Sequence, residues 1–287
     1  MSNLQLTWSE QELLATDDVV EPLIAGGVRC HGGYTHSGDY VSPRTKHRVP
    51  AIEAWQQSHR EQFGTEVLAA PVELWPEPFP NVAQTKRLLR EGVREPTITS
   101  LTRIGTVEGF GSMIRYVHPG DMQRFFEESV EGTAMQHLDR GLFEAHARDE
   151  AGWEDEGGHK QMWFAARDVA FESPVTEDET QTMLTRMGIG NAGGPPDPEA
   201  MRKAALEMQR FPDLDLQLEM MIRRMVSLLF IEVSAFHTFR WAEEVLSDSD
   251  LVAGDGEAAA LVSCIRKDET PHVDYLRTTL TEMRDRT

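Results

Sequence analysis

Two five-residue stretches of the sequence share one frame, Asp-Glu-x-x-His. DEGGH spans residues 155–159 and DETPH spans residues 268–272. Residues three apart on a helix share a face, so the Glu and the His of each frame can direct a carboxylate oxygen and an imidazole nitrogen at one point. Such atoms are ligands for a metal ion. The four ligands predicted from the frames are Glu156, His159, Glu269 and His272.

A second repeat lies ahead of each frame. VEGTAMQ precedes DEGGH and IEVSAFH precedes DETPH, and each carries one acid, Glu131 or Glu232. In each copy, the number of residues between the acid and the following frame suits an antiparallel helix pair, which would place the acid beside its frame. Four carboxylates crowded in a helical core resist ionisation unless multivalent cations compensate them, which two metal ions would do. Glu127 and Glu128 lie one turn before Glu131 and are alternatives to it.

The ligand set favours iron or manganese over zinc, because it is rich in oxygen and has two imidazoles. It resembles the ferritin-like di-iron carboxylate proteins, in which two helices each give a Glu and two others each give Glu-x-x-His. The resemblance covers about residues 121–285 and implies an all-α fold with an antiparallel four-helix bundle. It also implies two iron ions, with manganese as an alternative at one position. The resemblance gives one ion Glu131, Glu156 and His159, and the other ion Glu232, Glu269 and His272.

The same resemblance assigns roles to residues around the ligands. Asp155 and Asp268 look like the acids that hydrogen-bond a ligand imidazole and fix its tautomer in oxygen-activating members. Because simple ferritins usually lack this acid in both halves, its presence in both frames favours the oxygenase, desaturase and reductase-subunit branch. Trp163, Tyr275 and His237 are candidates for a redox or pocket role. Packing in the bundle core is the alternative for each.

Four long helical patterns must position these residues. They are predicted over about residues 121–141, 154–172, 214–246 and 257–283. The third pattern is apolar around nearly its whole circumference between Met220 and Phe239, which predicts that other helices surround it. Residues 119–287 are therefore predicted to form the bundle. Residues 1–118, rich in Gly, Pro and His, are predicted to form an irregular arm with short helices that caps it.

Gly157, Gly158 and Pro271 disfavour the helices in which they are predicted to lie. The glycines leave room either for oxygen and substrate or for close packing of a neighbouring helix. Pro271 predicts a continuous but distorted helix, with a cap and first turn as the alternative. Four residues of the arm follow no ligand spacing and are expected to be solvent-facing loop residues: Cys30, His31, His36 and His47.

The formal net charge of -20, with no Lys or Arg cluster, argues against nucleic acid and anionic membrane surfaces as partners. No apolar run approaches the roughly 20 residues that cross a bilayer, and the N-terminal sequence lacks the order of a signal peptide. We therefore expect a cytoplasmic protein, with a homodimer as one possible assembly.

These features predict a non-haem di-iron oxidase or monooxygenase that uses O2 to hydroxylate, desaturate or N-oxygenate a small organic metabolite. The arm and the Gly-rich residues 188–197 are candidates for a lid and a substrate pocket. The sequence has no dinucleotide fingerprint or cysteine cluster, so we expect electrons from a ferredoxin, a flavin reductase or a small reductant. The alternatives are a ferroxidase or other iron-handling protein, and a radical-generating subunit of a larger enzyme.

Overall fold

Helices dominate the structure, a computed structural model that describes residues 4–71, 81–189 and 198–287. The helices are α1 (Glu10–Leu13), α2 (Arg48–Phe63), α3 (Val82–Arg90), α4 (Glu95–Glu108), α5 (Phe143–Ala151), α6 (His159–Phe171), α7 (Glu177–Arg186), α8 (Pro198–Met208), α9 (Leu216–Leu246), α10 (Glu257–Asp268) and α11 (Thr270–Arg284). The strands are β1 (Glu21–Ala25), β2 (Val28–Tyr34), β3 (Tyr40–Val41), β4 (Gly152–Trp153) and β5 (Glu156–Gly157). None of the helices in these ranges combines the length and apolar character that crossing a membrane requires.

Local sequence chemistry sets several helix ends. Ser9 and Glu12 form a reciprocal capping box at the start of α1, and Thr176 and Glu179 form another at α7. The Asp215 carboxylate accepts backbone hydrogen bonds from the first turn of α9. These short polar residues satisfy N–H groups that have no partner within the helix.

A small sheet joins the arm to the first Asp-Glu-x-x-His frame. β1 and β3 pair with β2 in antiparallel fashion, and β2 pairs in parallel with β5 through Cys30 and Gly157. The chain enters α6 through Gly158, where a side chain would meet the Gly152 nitrogen at 2.2 Å. Residues 155–158 are therefore not helical, which corrects the helix predicted over 154–172. The two glycines serve a close backbone approach.

Two apolar cores hold the helices together. One core lies among α6, α9, α10 and the sheet and includes Trp163 and Trp241. The other lies among α2, α5, α9 and α11 and includes Trp55 and Phe143. Burial of each large apolar side chain contributes roughly 1.5–3 kcal/mol. α4 packs on α6, α6 on α10, and both α10 and α11 on α9, so α9 belongs to both cores.

Residues 121–141 do not form the predicted first helix of the bundle. Two short 3-10 turns, Met122–Phe125 and Ala134–His137, lie there instead. Extended backbone at Phe126 and a φ of 72° at Gly132 interrupt any longer helix. Asp121 does cap a helical turn, but that turn is only the short 3-10 turn Met122–Phe125.

The arm is more regular than predicted, because it contains the 16-residue α2 and the 14-residue α4. α4 packs along α6 as an integral helix, although it lies on the arm side of the predicted boundary at residue 118. That boundary between 1–118 and 119–287 stays a prediction. Of the Gly-rich segment predicted to line a pocket, residues 190–197 lie outside the described residues.

Two further expectations concern α9 and the α10–α11 junction. α9 is not surrounded on every side, because Phe230, Ile231 and Phe236 are 55%, 52% and 39% exposed. Apolar residues around the whole circumference of a helix therefore did not place every face in the core.

At the junction of α10 and α11, Glu269 keeps helical dihedral angles (φ -74°, ψ -23°), and Pro271 lies in the first turn of α11. Pro271 therefore occupies the first turn of a new helix, which was the alternative to the continuous distorted helix, while the helical dihedral angles of Glu269 join the two helices without a loop.

Glu282 ties α11 to the turn that replaces the predicted helix. Its two carboxylate oxygens accept hydrogen bonds from the backbone N–H groups of Ala134 and Met135, each at 3.0 Å. Burial raises the pKa of Glu282 to about 7, although the two backbone hydrogen bonds oppose this shift. The buried group therefore holds a proton at a pH at which an unfolded chain would have released it.

We expect Glu282 to make the protein less stable as pH rises. Its contribution is present below the unfolded pKa near 4.5 and is lost as pH rises through about 7. Glu282→Gln should therefore reduce the fall in unfolding free energy between pH 5 and pH 8 by up to about 3 kcal/mol. Urea unfolding at both pH values measures this difference, with the exposed Glu131→Gln as control. An unchanged pH dependence in Glu282→Gln would contradict it.

Candidate metal centre

Seven buried or nearly buried side chains from five segments meet between the helices. Glu108 comes from the end of α4, His146 and Glu150 from α5, His159 from the start of α6, Glu232 from the middle of α9, and Glu269 and His272 from the α10–α11 junction. Glu108 is the least enclosed, with its side chain 13% exposed. The set contains the imidazole and carboxylate donors that iron and manganese accept.

The side chains form two overlapping groups of potential ligands. One group is His146, Glu150, Glu232 and His272, and the other is Glu108, Glu150, His159 and Glu269. Within each group, one donor atom per residue lies within 4.8 Å of the others. Because both groups contain Glu150, the cluster has the shape of a two-ion site with a shared carboxylate.

Glu269 also spans the two groups. Its Oε1 lies 2.9 Å from Nδ1 of His159, and its Oε2 lies 2.7 Å from Nδ1 of His272. Glu150 Oε1 is 3.4 Å and 3.6 Å from the same two nitrogens. Two carboxylates thus lie between the imidazoles, where they could bridge two ions.

Behind each imidazole, a side chain lies close to the ring nitrogen that faces away from the carboxylates. His272 Nε2 lies 3.0 Å from Asp149 Oδ2, His159 Nε2 lies 3.5 Å from Asp268 Oδ2, and His146 Nδ1 lies 3.1 Å from the Tyr275 hydroxyl. The neighbouring carboxylates raise the pKa values of His159 and His272, so a bound cation would have to replace the proton on the inner nitrogen of each. Each of the three rings thus directs one nitrogen at the cluster and the other at a group behind it.

Two buried arginines support Asp149. Arg44 Nε donates to its Oδ1 at 2.7 Å, and Arg48 Nη2 donates to its Oδ2 at 2.8 Å. Burial alone would raise the pKa of Asp149, but the two guanidinium groups and His272 hold it well below its usual value. Asp149 therefore stays an anion that accepts the outer proton of His272.

Asp268 has a comparable set of partners from the sheet region. His31 Nε2 lies 2.7 Å from its Oδ2, and the hydroxyls of Tyr40 and Ser42 donate to it at 2.9 Å and 2.5 Å. Burial would raise the pKa of Asp268, yet His31 and His159 lower it. The arm thus supplies the surroundings of the acids that orient two of the imidazoles.

The charges in the cluster point to a cation. Burial and neighbouring carboxylates raise the pKa values of Glu108 and Glu232 well above their usual range. Burial would also raise those of Glu150 and Glu269, but the positive charge of His159, whose own pKa these carboxylates raise, holds them below their usual values. Four carboxylates cannot all ionise in this space without added positive charge, which two metal ions would supply.

Unsatisfied polar atoms test whether the residues fit a metal. In the cluster, His146 Nε2, both ring nitrogens of His159, Glu150 Oε2 and Glu269 Oε1 are buried and make no hydrogen bond with the described residues. Such buried atoms are costly unless another partner satisfies them. His146 Nε2, His159 Nδ1 and Glu269 Oε1 each lie within 3.5 Å of another donor atom of the cluster, where an ion would be bound. The donor set therefore fits two ions of the iron or manganese type.

Several residues predicted from the sequence come together here. His159, Glu232, Glu269 and His272 lie in the two groups, and Asp268 lies behind His159. Their closeness is a structural finding, and their role as metal ligands stays a prediction.

Glu131 was a wrong prediction, because it lies in an exposed turn far from any helix that could direct it inward. Its alternatives Glu127 and Glu128 are exposed as well. Glu156 was also wrong: it lies on β5 with its Oε1 3.6 Å from Arg29 Nη2. Asp155, with its side chain 70% exposed, pairs with the same Arg29 and contacts no imidazole. The Gly-Gly turn removes the helical spacing on which both assignments depended.

The acids that occupy the positions predicted for Glu131, Glu156 and Asp155 were not identified from the sequence. Asp149-Glu150 is an Asp-Glu pair six residues before the pair in the frame, and His146 precedes Glu150 by one helical turn. This His-x-x-x-Glu spacing was the available signal. Glu108 had none, because it stands alone in the segment predicted to be irregular. His31 was expected in a solvent-facing loop, but it and Cys30 are fully buried on β2; His36 is exposed and His47 is half-buried.

The three residues predicted for a redox or pocket role lie at different distances from the cluster. Tyr275 is buried and contacts His146 directly. Trp163 is buried and stacks on Phe239, with ring centroids 5.5 Å apart. His237 is half-buried on α9 and belongs to neither ligand group. Any redox role for them stays a prediction.

Comparisons with known proteins gave no matching family model, no matching curated protein and no matching solved structure.

Asp149→Asn should destabilise the protein by about 3–5 kcal/mol, because it leaves two buried guanidinium groups without an anionic partner. The matched control is Asp155→Asn, which removes only an exposed ion pair and should change the unfolding free energy by at most about 0.5 kcal/mol. Urea unfolding followed by circular dichroism measures both values. Equal losses in the two variants would show that Asp149 does not have the supporting role assigned to it.

Proposed function

We propose that this chain is a non-haem di-iron oxidase or monooxygenase of the cytoplasm, built on a ferritin-like arrangement in which α4, α5, α6, α9 and α10–α11 surround the ions. The observation that carries the proposal is the pair of overlapping buried ligand groups that share Glu150. A structural role for so many buried ionisable groups would be costly without metal.

The proposed ligands divide unequally between two ions. One ion would be held by His146, Glu232 and His272, and the other by Glu108 and His159, with Glu150 and Glu269 shared. When bound, the iron ions supply the electrons and coordination positions needed to activate O2. Manganese at one position fits the same donors.

The chain's own residues prepare the centre for this chemistry. Asp149 accepts a hydrogen bond from Nε2 of His272 and Asp268 lies 3.5 Å from Nε2 of His159, so that Nδ1 of each ring is the nitrogen that would bind an ion. The two apolar cores pack against the helices that carry the ligands and reduce the access of water to the cluster. Tyr275 holds the Nδ1 of His146 and is the buried phenol through which a proton could leave that ring.

A cleft beside the cluster supports an organic substrate. Glu232 and Glu269 line its inner wall, and Val233, Phe239 and Val273 line its sides. The cleft has a volume of about 260 Å³, which suits a small metabolite. Centres that only oxidise iron need no such apolar space. Electrons would come from a ferredoxin, a flavin reductase or a small reductant.

Iron handling is the second candidate, favoured by the formal net charge of -20, which would attract cations. Oxygen uptake separates the two. Sustained O2 consumption with a reductant present would favour the oxidase. Uptake that stops once the added Fe(II) is oxidised, together with assembly into a large cage on size exclusion, would favour iron handling.

We expect the protein to retain two iron ions per chain after anaerobic loading with Fe(II) and desalting. Glu150→Gln should lose most of this iron, because it removes a donor from both ligand groups. Glu156→Gln should retain the full amount, because Glu156 lies outside the cluster and faces Arg29. Elemental analysis of the desalted proteins gives the ratios, with circular dichroism as a check on folding.

Background iron in the unmodified protein would refute the proposal. If Glu156→Gln lost iron while Glu150→Gln retained it fully, Glu156 of the Asp-Glu-x-x-His frame would be the ligand, as the sequence predicted, and Glu150 would not. The two variants make the same chemical change, so their comparison isolates the position of the carboxylate.

A further inference from the structure

We propose that the cleft beside the metal centre is a carboxylate-binding site, in which Arg277 holds the acid group of a small organic acid with an apolar body. This inference names the substrate class for the proposed function, and it rests on that function only for which end of the ligand reacts.

The cleft lies between two helical walls. α9 gives Glu232, Val233, Phe236 and Phe239, while the α10–α11 side gives Arg266, Glu269, Thr270, Val273, Asp274 and Arg277, with Ala70 at the rim. The α10–α11 residues follow the spacing of one helix face. The wall therefore presents, in order along one stripe, a cation (Arg266), the cluster carboxylate with a hydroxyl beside it (Glu269 and Thr270), an apolar residue with a second carboxylate beside it (Val273 and Asp274), and a second cation (Arg277).

The middle of the cleft is apolar. Val233 and Phe239 are buried on α9, and Phe236 is 39% exposed beside them. Val273 faces them from α11. An aliphatic or aromatic body lying here would remove apolar surface from water at about 25 cal/mol per Å². These walls disfavour a fully polar ligand such as a sugar or a free metal ion.

The two arginines differ in how far their charge is already used. Arg266 Nε donates to Glu243 Oε1 at 2.7 Å, so its charge is paired. Arg277 Nε donates to the Leu68 carbonyl at 2.6 Å, and its Nη1 forms an ion pair with Asp274 Oδ1 at 3.4 Å, which leaves Nη2 as its remaining donor.

The described residues provide no hydrogen-bond partner for Arg277 Nη2. The backbone carbonyl fixes the direction of the guanidinium group without neutralising it. A carboxylate is the ligand that such a planar donor edge recognises best. Arg277 is therefore the anion-binding member of the pair.

The spacing along α11 separates the acid group from the reacting end. Arg277 follows Glu269 by eight residues, or about 12 Å along a helix axis. The arginine side chain spans part of this distance, and the ligand body spans the rest. The substrate class is accordingly an acid whose oxidised position lies several bonds from its carboxylate.

The test compares three probes of one shape: 4-phenylbutyrate, its neutral amide and 4-phenylbutylamine. Isothermal titration of the full chain should show the acid binding at least tenfold more tightly than the amide. Arg277→Gln should remove this preference. Arg224→Gln, at an exposed position on α9 outside the cleft, should keep it. Circular dichroism establishes that each variant is folded.

Three results would overturn the inference. They are equal binding of acid and amide, preference for the amine, and an acid preference that survives in Arg277→Gln, as direct binding to a metal ion would produce. Iron content measured on the same samples keeps the two proposals apart. Two irons without acid preference would refute the carboxylate site alone, and acid preference with only background iron would refute the di-iron function alone.

Discussion

The structure depends on burying carboxylates and imidazoles together between helices. Glu150, Glu232 and Glu269 are each at most 6% exposed, and His159 and His272 are fully buried. Each buried charge is unfavourable alone, since water is lost and the local dielectric is low. The groups are tolerable only as a mutually compensating set, in which the charges of His159, Arg44 and Arg48 offset part of the carboxylate charge. Most other features of the fold either direct these side chains inward or neutralise the groups behind them.

The sheet and the arm serve that purpose from the outside. β2 carries His31 to Asp268, and the segment after β3 carries Arg44 and Arg48 to Asp149. An acid placed behind an imidazole needs its own partner, because otherwise burial would protonate it and release the ring. His31, Arg44 and Arg48 therefore form a further layer of the network, behind the acids that contact the imidazoles. This explains why the strands β1 to β3 and the start of α2 are packed against the centre of a helical protein.

The cluster is also asymmetric, and the cleft lies on one side of it. One ligand group has two imidazoles and the other has one. The cleft meets the cluster at Glu232 and Glu269, which come from α9 and from the distorted α10–α11 junction. A carboxylate that both lines a cleft and contacts two imidazoles is well placed to change its contacts when a ligand binds. The junction at Pro271, where the regular helical hydrogen bonding changes, supplies the local freedom for that.

The sequence by itself determined the helical character and the closeness of Glu269 and His272 in the second frame, because residues 268–272 lie in helical backbone where a spacing of three is a shared face. It failed at the first frame, since Gly157 and Gly158 turn the chain there and the inward acid comes from Glu150, one element earlier. Glu108, His31 and Arg44 could be placed only by tertiary structure. Their partners are over 40 residues away along the chain, and no local periodicity records a contact made by packing between distant segments.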